Sequence, residues 1–110
     1  MSMLPTPGTQ VFEETDTSLE PPYHLILLDD DEHTYGYVIS MLNAVFGYSR
    51  DKGFAIACVV DSEGQAIVMT GAMDEVRPKQ EMIHAYGADD AMEGSKGSMT
   101  AIIEPAVSPG

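Results

Sequence analysis

The stretch YHLILLDDDEHTYGYVISML, residues 23–42, joins two different hydrophobic patterns through a run of acids. Residues 24–28 form a short apolar run, which predicts a buried strand. Beyond the acidic loop, apolar residues recur at spacings of three and four, which predicts a helical face. Thr34 or a neighbouring loop residue can cap the start of this helix, and Gly47 suits a left-handed stop. The stretch therefore indicates a strand, a polar loop and an amphipathic helix.

The next elements continue the alternation of helix and strand. Ser49 is a good N-cap for a second helix, with Asp51 in its first turn, and this helix should stop near Gly64. Residues 65–70 then form a second apolar run, which predicts a second strand.

After Gly71 the pattern predicts a third helix that ends at Gly87. Pro78 disrupts an interior turn, so this helix either starts late or is kinked. Residues 89–97 form a polar, glycine-rich loop, and residues 99–104 predict the last strand. The fold class is thus α+β: a two-layer β-α-α-β-α-β domain with three helices on one face of a three-stranded antiparallel sheet.

The length of 110 residues suits one domain with loose ends. Residues 1–22 contain four prolines, several acids and no periodic pattern, which predicts a flexible N-terminal tail. The domain is expected to span residues 23–106, and residues 107–110 form a short C-terminal tail.

The composition excludes several classes of function. The formal net charge of −13 disfavours a nucleic-acid partner and suits a cationic ligand. Cys58 is the only cysteine, so neither an intrachain disulfide nor a cysteine-rich zinc site can form. We expect no membrane association, because the longest aliphatic run is far too short to span a bilayer and the first twenty residues do not resemble a signal peptide. A cytoplasmic location is the resulting expectation.

Taken alone, the acidic loop is most often a solvated loop, and three chemical alternatives fit it poorly. A calcium loop of the EF-hand type needs Gly at the position of Thr34 and Glu at the position of Ser40. A metal centre from Asp29, Asp31 and His33 is disfavoured because alternating side chains would point in incompatible directions. A carboxylate pair for glycoside hydrolysis would lack room for a substrate cleft. We therefore expect no metal, no cofactor and no enzymatic activity.

Residues 23–42, followed by FGYSRDKGFAIACVVDSEGQAIV at residues 46–68, resemble the ClpS family of Clp protease adaptors. That family has an aromatic-led apolar strand, an Asn/Asp-Asp-Asp loop and a helix beginning in the manner of Phe-Val-Ile-x-x-Leu. The resemblance covers roughly residues 22–105 and implies the same β-α-α-β-α-β fold, which also occurs in the C-terminal domain of the ribosomal stalk protein. It implies binding of the free N-terminal residue of a protein destined for degradation, an N-degron, with bulky hydrophobic residues preferred.

In ClpS proteins the α-ammonium group is held by the Asn-Asp of the loop and by a His late in the second helix. The matching positions are Asp29, Asp30 and Asp61, with Asp31 completing the acidic loop. Asp replaces the usual Asn at position 29 and the usual His at position 61. Each replacement remains a hydrogen-bond acceptor and adds charge, which strengthens a bond to a cation.

The resemblance also implies an apolar pocket for the side chain of the bound residue. Its members should be His33, Tyr35, Val38, Ala57, Val60 and Met99. His33 and Tyr35 replace the frequent Thr and Met at the rim, and Ala57 replaces a larger Met. The surface that meets the Clp unfoldase, a ClpA- or ClpC-like AAA+ protein, corresponds to Asp74 and Lys79.

Three hypotheses follow. The first is an adaptor that recognises N-degrons and delivers them to a Clp unfoldase. The second is a ClpS-like interaction module without degron binding. The third is a small metal-dependent hydrolase that uses the acidic loop.

Overall fold

The computed structural model describes residues 21–106, and these form six elements in the order β-α-α-β-α-β. The elements are β1 (Tyr23–Leu28), α1 (Tyr35–Phe46), α2 (Arg50–Glu63), β2 (Gln65–Gly71), α3 (Met73–His84) and β3 (Ala101–Pro105). The strand order is β2-β1-β3, and both pairs are antiparallel. The predicted fold class is confirmed. Most of the two predicted tails, residues 1–20 and 107–110, lies outside the described residues.

The core lies between the helices and one face of the sheet. Leu25 and Leu27 on β1 are fully buried and belong to the main apolar cluster, whereas Ile26 between them does not. Side chains alternate between the two faces of a strand, so the helices cover the face that carries Leu25 and Leu27. The helical side of this cluster includes Met41 and Leu42 on α1 and Val76 and Ile83 on α3.

The first two helices begin and end where local chemistry predicts. The Thr34 and Ser49 side chains accept hydrogen bonds from the Tyr37 and Lys52 backbone N–H groups, which caps α1 and α2. Gly47 and Gly64 end these helices with φ values of 75° and 88°, in the left-handed region that glycine adopts without strain.

Close packing of α1 on α2 depends on a glycine inside the second helix. A Cβ atom at Gly53 would lie 3.2 Å from the Cα of Ile39, which is tighter than ordinary contact. The missing side chain therefore lets the two helices approach. The pocket described below is lined in part by these two helices.

The third helix differs from the prediction. It starts at Met73 and contains Pro78 in its interior, so the first of the two alternatives, a late start, is wrong. It ends at His84, three residues before Gly87, and leaves Tyr86 outside. The Glu75 side chain accepts a hydrogen bond from the Ala72 backbone N–H, which stabilises this early start. Buried Val76 and Ile83 anchor the helix on both sides of the proline, so tertiary packing offsets its local cost.

Candidate functional site

The acidic loop leaves the carboxyl end of the central strand, where three other segments meet it. The Asp29 backbone N–H donates to the Gly64 carbonyl at 3.0 Å, which places the loop beside the end of α2. The Leu28 backbone N–H donates to the Thr100 carbonyl at 3.0 Å, which places it beside the segment that leads into β3. Together with the start of α1, these contacts bring residues that are distant in the chain to one place.

A small cleft of about 80 Å³, open at its mouth, lies at this junction. Its lining residues are Asp29, Asp30, His33, Thr34, Tyr35, Val38, Ala57, Val60, Asp61 and Met99. Nine of the ten substrate-binding residues that the sequence suggested therefore line one cleft, and the tenth, Asp31, is exposed and does not.

The floor of the cleft is apolar. Val38 on α1, Ala57 and Val60 on α2, and Met99 before β3 each expose no more than 5% of their surface. Met99 reaches the cleft although it precedes the last strand, which starts at Ala101 and not at the expected residue 99. The floor can thus receive a hydrophobic side chain, and burying a large one is worth about 1.5–3 kcal/mol.

Three carboxylates border the mouth of the cleft, and each keeps at least one oxygen that no donor from residues 21–106 occupies. Oδ1 of Asp30 accepts hydrogen bonds from the Glu32 backbone N–H at 2.8 Å and from His33 Nδ1 at 2.7 Å, while Oδ2 accepts none. Asp61 accepts only at Oδ2, from the Tyr35 hydroxyl at 2.7 Å. The Asp29 carboxylate accepts no hydrogen bond within the same part of the chain. The mouth can therefore stabilise a cation that has several N–H donors.

The Tyr35 hydroxyl covers one side of the mouth by donating to Asp61. This hydrogen bond and, to a lesser extent, burial and the negative charge of Asp61 raise the pKa of Tyr35 to about 12. The phenol therefore remains a donor at neutral pH. Its ring also lies 5.8 Å from that of Phe54, whose side chain is half exposed, so two aromatic rings flank this side of the cleft.

His33 does not occupy the exposed rim position that the resemblance implied. Its side chain is only 3% exposed, and both ring nitrogens are engaged: Nδ1 with Asp30 and Nε2 with the Gly97 carbonyl, each at 2.7 Å. The ring also contacts Tyr37, with a centroid distance of 4.5 Å. His33 therefore lies in the wall of the cleft and connects the acidic loop to the loop that precedes β3.

Two residues of this region were missed by the sequence analysis: Thr34, which was considered only as a helix cap, and Asp89. Asp89 is 6% exposed and accepts hydrogen bonds at Oδ2 from the Thr34 backbone N–H at 2.6 Å and from the Thr34 hydroxyl at 2.8 Å. Its Oδ1 accepts from the Ala91 backbone N–H. Thr34 and Asp89 are 55 residues apart, so no local pattern could indicate their contact.

The environment of Asp89 favours its charged form. Burial alone would raise the pKa of Asp89, but the hydrogen bonds from Thr34 and Ala91 and the nearby His33 outweigh burial, and the pKa lies below its ordinary value. A depressed pKa stabilises the fold at pH values above the ordinary aspartate value of about 3.9. This contribution is lost as the pH falls through the lower pKa of the folded state.

Replacing Asp89 with Ala should lower the free energy of unfolding by about 1–3 kcal/mol near neutral pH, because the Thr34 and Ala91 N–H groups lose their acceptor. The difference from wild type should shrink as the pH falls below about 4, because Asp89 is protonated first in the unfolded chain and, at the lower pKa of the folded state, also in the native protein. Urea unfolding at several pH values measures both effects. Asp90→Ala is the matched control, because Asp90 is exposed and should change stability little. An equal loss in the two variants would contradict the structural role of Asp89.

The two residues suggested for contact with the unfoldase have different environments. Asp74 is exposed in the first turn of α3. Lys79 is half-buried, and its Nζ donates to the Val45 carbonyl at 2.8 Å, one residue before the end of α1. Lys79 thus has a role within the fold, because a cation stabilises the C-terminal end of a helix.

Other classes of site receive little support from the part of the chain that the structure covers. Between residues 21 and 106, no three His, Cys, Asp or Glu side chains are grouped as ligands for a shared metal ion, so the hydrolase hypothesis lacks a donor set there. Among the described helices, none has the length and apolar character needed to cross a membrane.

Known proteins resemble this chain along most of its length. The family model for the ATP-dependent Clp protease adaptor protein ClpS matches residues 18–93. The ClpS adapter of Rhodococcus jostii is 32% identical over 82 residues, which cover 74% of this chain and 73% of the relative. The ClpS adapter of Streptomyces coelicolor is 31% identical over 81 residues, which cover 72% of this chain and 84% of the relative.

A solved structure agrees with these matches. Agrobacterium tumefaciens ClpS2, bound to L-phenylalaninamide, superposes with a TM-score of 0.66 at 26% identity and covers 77% of this chain and 96% of its own. Family model, relatives and fold agree: this chain belongs to the ClpS family of ATP-dependent Clp protease adaptors.

Proposed function

We propose that this adaptor binds the free N-terminal residue of a target protein in the cleft and delivers that protein to an AAA+ Clp unfoldase. The observation that carries the proposal is the combination of an apolar floor with unoccupied carboxylate oxygens at the mouth. An N-terminal residue offers the same combination, because its side chain and its ammonium group leave the same carbon atom. An internal residue has only one amide N–H at that place and no charge.

The ammonium group is the part of the ligand for which the mouth is best suited. Its three N–H donors match oxygens of Asp29, Asp30 and Asp61 that have no donor within residues 21–106. Charge-assisted hydrogen bonds contribute about 1.5–3 kcal/mol each. The ligand of the Agrobacterium relative, an amino-acid amide with an aromatic side chain, carries the same two groups.

The apolar floor sets the preference for the first residue. Val38, Ala57, Val60 and Met99 offer no polar partner through their side chains, and the mouth is negatively charged. Leu, Phe, Tyr and Trp can bury apolar area there, whereas Asp and Glu would be repelled and desolvated. A first residue without a side chain gains nothing from the floor.

We propose that the unfoldase contacts the surface of α3 that carries Asp74 and Lys79, as the resemblance implied. Asp74 is exposed and available for a partner, whereas the Lys79 amine already binds the Val45 carbonyl. Asp74 is therefore the first choice for mutagenesis of this contact. The N-terminal tail, residues 1–22, is proposed to act in delivery rather than in binding the N-terminal residue.

Peptides that differ only in their first residue test the proposal. Peptides beginning with Leu, Phe, Tyr or Trp should bind with micromolar Kd or better, and those beginning with Gly, Asp or Glu at least about tenfold more weakly. Fluorescence anisotropy with a label at the C-terminus measures these affinities. A matched control exchanges residues 1 and 2, so that a Leu-Gly start becomes Gly-Leu with unchanged composition and charge. Equal binding of the two exchanged peptides would contradict recognition of the N-terminal residue. It would favour the second hypothesis, a ClpS-like interaction module without degron binding.

A further inference from the structure

The side chain of His33 is held between two hydrogen-bond acceptors that belong to different loops. Nδ1 lies 2.7 Å from Oδ1 of Asp30, and Nε2 lies 2.7 Å from the carbonyl oxygen of Gly97. The Ser95 hydroxyl oxygen is farther from Nε2, at 3.4 Å. We call the Asp30–His33–Gly97 connection the His33 bridge. It joins the acidic loop to a residue 64 positions later in the chain.

Both bonds of the His33 bridge require a proton on the ring. A carboxylate oxygen and a peptide carbonyl oxygen only accept hydrogen bonds, and a neutral imidazole has a single N–H. Only the imidazolium form can donate to both at once. The side chain is 3% exposed, so water cannot readily replace a lost partner. The geometry of the His33 bridge is therefore that of a charged histidine.

His84 shows the opposite arrangement in the same domain. Its Nε2 lies 3.0 Å from the Ala101 backbone nitrogen, whose N–H donates to it. An Nε2 atom that accepts a hydrogen bond carries no proton, so His84 is neutral in this geometry. His24 lies 2.8 Å from the Thr70 hydroxyl, which can donate or accept, so its contact sets no charge.

We propose that His33 is a charged positioning residue that aligns Asp30 for the ligand's ammonium group. This rests on the proposed function. Through His33 and the Glu32 N–H, Oδ1 of Asp30 is held by two donors, which leaves Oδ2 for the ligand. Through Gly97, the same ring holds the segment that carries Met99, which lines the cleft.

The charged and titratable groups around the ring favour this role. Asp30 contacts it from the acidic loop, and Asp89 in the loop after α3 is close enough for the charge of His33 to help lower its pKa. From α1, the Tyr37 ring packs against it at 4.5 Å, and burial raises the pKa of that phenol, which stays neutral. The imidazolium thus faces two carboxylates and no cation among these neighbours.

Loss of the proton would break one end of the His33 bridge. A neutral ring keeps its hydrogen bond either to Asp30 or to Gly97, and the other oxygen loses its donor. Since both ends position parts of one cleft, the ligand would then have to order a looser site, and affinity would fall. The proton on the ring therefore couples the alignment of Asp30 to the position of Gly97.

The first test needs no ligand and uses the full chain labelled with ¹⁵N. The ring-nitrogen shifts of the three histidines are followed by NMR between about pH 5.5 and pH 8.5. We expect His33 to show two protonated nitrogens at pH values where His84 shows one protonated and one bare nitrogen. If His33 is neutral at every pH value at which His84 is neutral, the charged His33 bridge is overturned, whether or not any peptide binds.

The second test compares the peptide affinity of His33→Gln with that of the wild-type chain, with a C-terminally labelled peptide that begins with Leu. At about pH 6 the variant should bind about tenfold more weakly, because Gln carries no positive charge with which to hold Asp30. His24→Gln is the control and should match the wild type.

The outcomes distinguish this inference from the proposed function. A His33→Gln variant that binds as tightly as the wild type, or more tightly, would overturn the positioning role while leaving N-terminal recognition intact. If no peptide binds the wild-type chain, the proposed function fails, and the NMR result decides the charge of His33 by itself.

Discussion

Acetylation of the peptide's N-terminus is expected to weaken binding at least about a hundredfold, which corresponds to about 2.7 kcal/mol. A free α-amine has an ordinary pKa of about 7.7–8, so it is mostly charged at neutral pH. Acetylation removes this charge and leaves one N–H where there were three donors. Asp29, Asp30 and Asp61 would then face a group that cannot satisfy their open oxygens. Desolvating unpaired carboxylates is costly.

Anisotropy measurements with free and acetylated forms of one Leu-first peptide give the size of this effect. Acetylation also adds bulk, so a des-amino peptide, which lacks the amine and adds no atoms, is the appropriate control. Both modified peptides should lose binding to a similar extent. An acetylated peptide with the affinity of the free form would remove N-terminal recognition as the function of the cleft.

Replacing Asp30 with Ala is expected to reduce the affinity for a Leu-first peptide about a hundredfold and to change the melting temperature little. The substitution removes the carboxylate that offers Oδ2 to the ligand, and it also removes one end of the His33 bridge. The Asp30 side chain is 33% exposed, so its loss leaves no cavity in the core. Without Asp30, a neutral His33 ring can still donate from Nε2 to the Gly97 carbonyl, so no unpaired charge is left buried.

Asp31→Ala provides the matched control for this variant. Asp31 is the next acid of the same loop and is exposed outside the cleft, so its removal changes the net charge equally. We expect near wild-type affinity for it in the same anisotropy titration, with melting followed by circular dichroism. Equal losses of affinity in the two variants would indicate a general effect of negative charge. A large fall in melting temperature with normal affinity would make Asp30 a structural residue.

Much of the fold could be predicted because its determinants are local. The periodicity of residues 35–46 and the caps Thr34 and Gly47 gave the bounds of α1 as observed. Ser49 and Gly64 did the same for α2. The prediction was less accurate for α3, because the cost of Pro78 is local whereas the burial that offsets it, at Val76 and Ile83, comes from the sheet and other helices.

The membership of the cleft was predicted better than the roles of its residues. The resemblance pointed to nine side chains that line it, since it matched positions residue by residue. It implied a rim position for His33, which is instead buried between two acceptors. It also implied that Lys79 contacts the unfoldase, whereas the Lys79 amine donates a hydrogen bond to the Val45 carbonyl. His33 replaces the Thr that is frequent in the family, and its two ring nitrogens form hydrogen bonds that a Thr could not form in the same way. Matching positions between sequences does not reveal such bonds.

The family resemblance supplied the acidic, apolar character of the cleft, residue by residue. By itself, the sequence determined the order of the elements and the caps of α1 and α2. These properties depend on neighbours within one or two turns, which periodicity and capping chemistry report directly. Only the tertiary structure decided that Oδ2 of Asp30 is left open, that Asp89 supports Thr34, and that Gly97 shares His33 with Asp30. The Thr34–Asp89 and His33–Gly97 contacts join residues more than fifty positions apart. Such contacts arise when the loops meet at the end of the central strand, and no local pattern encodes them.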